Sequence, residues 1–103
     1  MKESKFQNII NYENLLGQQI NRIAEARTKK HLETYEEAVD TLVFMLPSKM
    51  RQDAVRFKDE HGIQYDMSYA GKMKYDKLWM HCNKLLEEGN LIFKVSNYDT
   101  FQF

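Results

Sequence analysis

Along residues 4–31 the apolar positions recur at helical spacing. Phe6, Ile9, Ile10, Leu16, Ile20, Ile23 and Ala24 fall on one stripe when 100° is stepped per residue, with Asn11, Asn14, Gln18, Arg22 and Glu25 opposite. The pattern predicts one long amphipathic helix that Ser4 and Gln7 open as a capping box, with the stripe in phase across Gly17. At 1.5 Å per residue such a helix is about 40 Å long, whereas a compact domain of this size is some 30 to 35 Å across. Part of it is expected to overhang. The expected cover is a second copy of the chain, a homodimer paired through Phe6, Ile9, Leu16, Ile20 and Ile23. The alternative is that the helix bends at Gly17 and folds back on its own core.

Thr34 and Glu37 form a second capping box, and the following YEEAVDTLVFML is apolar on most of its circumference until Pro47. This describes a central, buried helix whose Glu36, Glu37 and Asp40 lie on the favourable side of its dipole. Ser48 is placed to cap a third helix, with Met50, Ala54, Phe57 and His61 on one face. Gly62 then supplies a left-handed C′ residue and Ile63 the apolar residue that follows it. In IQYDMSYAGKMKYD, Gly71 interrupts the pattern, and Ser68 and Asp76 both suit a cap. A short helix near 67–73 is expected there, running into or turning before the last one. That last helix, about 75–88, turns Tyr75, Leu78, Cys82, Leu85 and Leu86 inward, puts Trp79 on the margin and ends at Gly89. Beyond it Leu91, Phe93 and Val95 alternate with Ile92, Lys94 and Ser96, SNYD offers a turn, and TFQF restores the alternation. The expectation is a terminal β-hairpin, against an irregular tail covering the core.

A last helix ending in Leu85-Leu86-Glu87-Glu88-Gly89-Asn90-Leu91-Ile92 and feeding a hairpin resembles the winged-helix family of DNA-binding proteins, over roughly residues 34–103. Ala70, Met73, Tyr75 and Asp76 look like the small residue, apolar anchor and cap of a helix-turn-helix. The resemblance implies a winged-helix core over 34–103 and with it a mainly α, α+β fold; a length of 103 residues sets the expectation of a single domain over 1–103, with the long helix of 4–31 ahead of that core. It also implies that the last helix faces a major groove, where phosphate contacts position and base-edge contacts specify. Lys74, Lys77, His81 and Lys84 form a stripe at i, i+3, i+7 and i+10, with Lys72 beside it, Asn83 elsewhere on the exposed surface and Lys94 on the wing. These seven are the expected DNA contacts. Arg27, Lys29, Lys30 and His31 make a second basic cluster, which also suits the C-terminal end of the long helix.

Composition tempers this reading. Fifteen basic and fifteen acidic side chains cancel, so any nucleic-acid binding must come from a local patch. Neutrality favours the alternative, a helical protein–protein interaction module without nucleic acid, acting through Met73, Met80 and Trp79 or through the long helix. With Cys82 the only cysteine, an intramolecular disulfide is excluded and a cytoplasmic setting fits. No stretch approaches the roughly 20 apolar residues of a membrane span, so no membrane partner is expected. Neither a nucleophile–base arrangement nor repeating metal-ligand spacing is visible, and adjacent His81 and Cys82 point about 100° apart on a helix. The sequence is therefore read as non-enzymatic, without metal or cofactor. Its first reading is a small dimeric DNA-binding protein, a transcriptional regulator or a DNA-organising or segregation factor.

Overall fold

The computed structural model describes the backbone of residues 2–89 and the side chains of residues 12 and 14–89. Four helices run through them: α1 (Lys2–Thr28), α2 (Leu32–Met45), α3 (Ser48–Glu60) and α4 (Tyr69–Glu88). No strand occurs among the described residues, so the expected α+β class is corrected to an all-helical, bundle-like fold. The hairpin expected over 91–103, with Lys94, lies outside the described residues.

α1 and α2 pack antiparallel. The Tyr12 hydroxyl donates to the Met45 carbonyl at one end of the pair, and Arg22 meets Glu37 at 3.8 Å further along. The helix does not bend back at Gly17: it runs unbroken through it, about 40 Å long at 1.5 Å per residue, in a molecule of 47 × 29 × 20 Å. Leu16, Ile20, Ile23, Ala24 and Ala26 are buried, while Asn14, Gln18, Arg22 and Glu25 face solvent, which is the division the 100° stripe implies. Each buried Leu or Ile contributes roughly 1.5–3 kcal/mol relative to an exposed one. The turn to α2 is tight. Lys30 takes a left-handed φ of 59°, and the His31 N–H reaches back to the Ala26 carbonyl at 2.9 Å.

α2 packs against each of the other three helices, burying Tyr35, Ala38, Val39, Leu42 and Val43. It starts at Leu32, ahead of the expected Thr34 cap, because the chain re-enters helix directly from the His31 turn. α3 begins at Ser48 with Pro47 as its cap residue, so Ser48 is the first helical residue and supplies no side-chain cap. Its end follows the sequence: Gly62 has φ 61°, the Ile63 N–H bonds the Lys58 carbonyl at 2.9 Å, and Ile63 is buried.

The largest departure within the helices is at residues 67–88. Instead of a short helix and a turn, α4 is continuous, opened by Ser68, whose Oγ accepts the Gly71 N–H at 3.2 Å. Gly71 does not interrupt it. A Cβ there would run into the backbone carbonyl of Asp66, so the missing side chain is what lets the 61–68 connection cross the helix in contact. Ala70, Met73, Tyr75 and Asp76 therefore share one helix and form no helix-turn-helix.

Candidate functional site

α4 is joined to the rest of the molecule by two carboxylate nodes. Asp76 Oδ1 accepts the Tyr35 hydroxyl of α2 at 2.5 Å and Arg27 Nε of α1 at 3.3 Å, while Oδ2 accepts Lys72 Nζ at 3.0 Å. Asp40 of α2 accepts Lys58 Nζ of α3 at 2.7 Å and the Tyr75 hydroxyl of α4 at 2.9 Å. A third carboxylate, Glu36, is fully buried one turn before Asp40. Its Oε2 accepts the Asp66 N–H at 2.7 Å, pinning the 61–68 connection, and its Oε1 is buried without a hydrogen-bond partner among the described residues. Such directional bonds fix the rotation of α4 about its axis, and with it the identity of the outward residues.

These surroundings favour protonated forms. Burial pushes the Tyr35 and Tyr75 hydroxyls well above the ordinary phenol range, and the carboxylates they donate to add to the shift. Burial also raises Glu36, against the opposing Asp66 N–H. Cys82 lies between α4 and the core with its thiol pushed up to about 12 by burial, so it offers no thiolate near neutral pH. No group of three or more His, Cys, Asp or Glu able to hold a metal ion is found among the described residues, and none of their helices is long and apolar enough to cross a membrane.

The residues expected to contact DNA divide. Lys74, Lys77 and Lys84 are exposed on α4. Lys72 is drawn into the Asp76 node. His81 faces α3, with Nε2 2.9 Å from Asp53 and its ring stacked on Phe57 at 4.2 Å, while Asn83 is half-buried. The exposed part of the stripe is thus three lysines, with His81 and Lys72 drawn to Asp53 and Asp76. The residues expected to pair two copies also move: Leu16, Ile20 and Ile23 are buried against this chain's own α2 and present no surface to a second copy. The Phe6 and Ile9 side chains lie outside the described residues. Trp79 is corrected from the margin to the core, at 2% exposure.

Beside these lysines lie Met73 and Met80, two of the residues expected to serve an interaction module, joined by Tyr69, which the sequence pattern had not singled out; Trp79, the third expected member, is in the core. Tyr69, Met73 and Met80 are 70%, 51% and 55% exposed, and their spacing of i, i+4 and i+11 sets them on one line of α4. Tyr65 and Met67, also exposed, lie just before the helix. The other large exposed apolar residues, Leu15, Phe44 and Val55, fall singly on three different helices. The signal was available in the sequence. With Ser68 as the one cap, Tyr69, Met73, Lys77, Met80 and Lys84 fall on one face; splitting the segment at Gly71 scatters them. No protein-family model, curated protein or solved structure matched the chain in comparison.

Proposed function

We propose that the chain is a helical protein–protein interaction module whose docking face is the outer side of α4. The observation that carries this reading is the line of Tyr69, Met73 and Met80, each at least half exposed, on a helix whose rotation is held by the Asp40 and Asp76 nodes. Exposed apolar side chains gathered on one element mark interaction surfaces more often than scattered ones do. Methionines there adapt to a partner's shape, and Tyr69 supplies a rigid, amphipathic contact. Lys77, Lys84 and Lys74 flank the line on one side, which suits an amphipathic helix with acidic residues along that edge.

A second reading, DNA binding by the same face, draws support from the exposure of Lys74, Lys77 and Lys84 alone. It uses the flank and leaves the apolar line without a role. One experiment separates the two. A photo-crosslinking residue is placed at Met80, and in a control at exposed Lys49 on α3, and the adducts formed in the native cellular extract are compared. The module reading expects a discrete protein adduct from position 80 that is absent at 49 and lost on Lys77→Glu/Lys84→Glu. Equal adducts from both positions sink it. In parallel, anisotropy against a random-sequence duplex tests the second reading: salt-dependent binding whose slope drops by about one unit for each of Lys77→Ala and Lys84→Ala supports it.

A further inference from the structure

Where the C-terminal end of α1 approaches the first turn of α4, the two helices leave a cleft of about 530 Å³ lined by Arg27, Thr28, Lys30, Leu32, Tyr69 and Lys72. We propose that this cleft is a binding site for a small phosphorylated ligand with a planar body, of the nucleotide class. Its volume is in the range of small-molecule sites. The charge in it is one-sided. Three cations line it, no carboxylate does so among the described residues, and Asp76 stands behind Arg27 and Lys72. Arg27 and Lys72 are held by that carboxylate with their side chains only 12% and 19% exposed, so they are preset and not free to sweep solvent. Tyr69 opens a broad ring face at the rim, with Lys72 Nζ 5.8 Å from its centroid, which pairs a stacking surface with a cation as a phosphorylated ring system requires.

Lys30 carries the inference furthest. It occupies a left-handed position, φ 59°, where a glycine would sit without strain. It makes no ion pair among the described residues, and the dipole of α1 favours any cation at that place without requiring a strained backbone, while its side chain lines the cleft. Strain of this kind, kept at a residue that faces a cavity, points to a use for the side chain. Leu32, the first residue of α2, is also in the wall and adds an apolar side to the cleft. The smaller hollow on the other side of the same turn is a useful contrast. Glu25 lines it and ties up Lys29 at 2.8 Å, so it lacks the one-sided charge.

Titration calorimetry of the whole protein at low salt, without divalent metal, tests this with adenosine, AMP, ADP, ATP and inorganic pyrophosphate as probes. The expected order is adenosine weakest, then AMP, then ADP and ATP, with pyrophosphate weaker than ADP because it has no ring to stack. Lys30→Gly should weaken ADP about tenfold while leaving the melting temperature unchanged or higher, since the same substitution relieves the left-handed backbone. Tyr69→Ala should bring ADP down to the level of pyrophosphate. Lys49→Ala, remote on α3, should leave affinity unchanged. No binding of any probe overturns the proposal, as does an equal loss from Lys49→Ala and Lys30→Gly, which would mean general attraction to lysines. Binding of pyrophosphate as tight as ADP, insensitive to Tyr69→Ala, overturns the nucleotide class.

Discussion

The two seams that α2 makes, one with α1 and one with α4, are built on different chemistry. Against α1, Leu16, Ile20, Ile23, Ala24 and Ala26 meet a face of α2 in contacts that are non-directional and depend on volume and area, with the Tyr12–Met45 hydrogen bond and the exposed Arg22–Glu37 pair at the edge. The join with α4 also has an apolar floor in Leu78, Trp79, Cys82 and Leu86, but it adds Asp76–Tyr35, Asp40–Tyr75 and the Lys58 and Arg27 cations. An apolar seam tolerates small rotations of a helix about its axis; a set of hydrogen bonds with fixed partners does not. The difference assigns roles: α1 and α2 supply most of the burial, and the nodes decide which residues of α4 face outward. The outer line of Tyr69, Met73 and Met80 is a consequence of where Asp40 and Asp76 bind.

Deleting volume from the apolar seam is the strongest way to break this contrast. Leu42 is completely buried on α2, and Leu42→Ala should destabilise the fold by about 4 kcal/mol, in the range for a core leucine that leaves a cavity. Because the loss is one of packing, urea unfolding at low and high salt should give the same difference. A strongly salt-dependent difference would mean that the seam is not what holds α1 and α2 together.

Next in size is the Asp76 node. Asp76→Ala removes the acceptor shared by Tyr35, Arg27 and Lys72, leaves two half-buried cations facing each other, and should cost about 3 kcal/mol. Here the effect should shrink as salt screens the cations. A cycle with Tyr35→Phe should show coupling of about 1 kcal/mol or more, because both changes break one hydrogen bond. Additive effects would show that Tyr35 and Asp76 act separately. If Asp76 orients α4, its alanine variant should also alter the accessibility of Met73 and Met80 to mild oxidation, which Leu42→Ala should not do while the protein is folded.

What was legible in the sequence follows the same division. The α1 stripe, the largely apolar α2 and the Gly62–Ile63 ending of α3 were readable because each rests on local periodicity or on one residue's backbone preference. The ownership of the α1 stripe was not. Periodicity identifies an apolar face without saying whether the same chain or a second copy covers it, and Leu16, Ile20 and Ile23 went to α2. Gly71 misled for a related reason: glycine disfavours helix locally, but here a crossing backbone at Asp66 requires it. The lysine stripe was located correctly on α4, yet His81 and Lys72 were claimed by partners on α3 and at Asp76 that lie far away in the chain or share their helix in a way spacing alone leaves open. The α+β expectation came from the alternation beyond Gly89, outside the described residues, whereas the described residues form four helices and their connections without a strand.

Glu36 gives the smallest and most selective test, because it belongs to the polar side of the contrast but behaves opposite to an ordinary ion pair. Burial raises its carboxyl above the usual range, and the opposing Asp66 N–H does not cancel the effect. A carboxyl raised in the folded state binds its proton more tightly there than in the unfolded chain, whose value is about 4.3. The stability Glu36 contributes is therefore fully present below that pH and is lost as pH rises through the folded value, with a slope of at most about 1.4 kcal/mol per pH unit. Glu36→Gln keeps an oxygen for the Asp66 N–H and removes the titration. The stability of the variant minus that of the wild type, from urea unfolding at a series of pH values from about 4 upward, should rise with pH across the window and then level off. A difference that stays flat would mean Glu36 is charged in both states and the unpartnered Oε1 is satisfied by solvent. A difference that falls with pH would mean the Asp66 N–H outweighs burial, and the 61–68 connection would then be clamped by a charged carboxylate and released by acid.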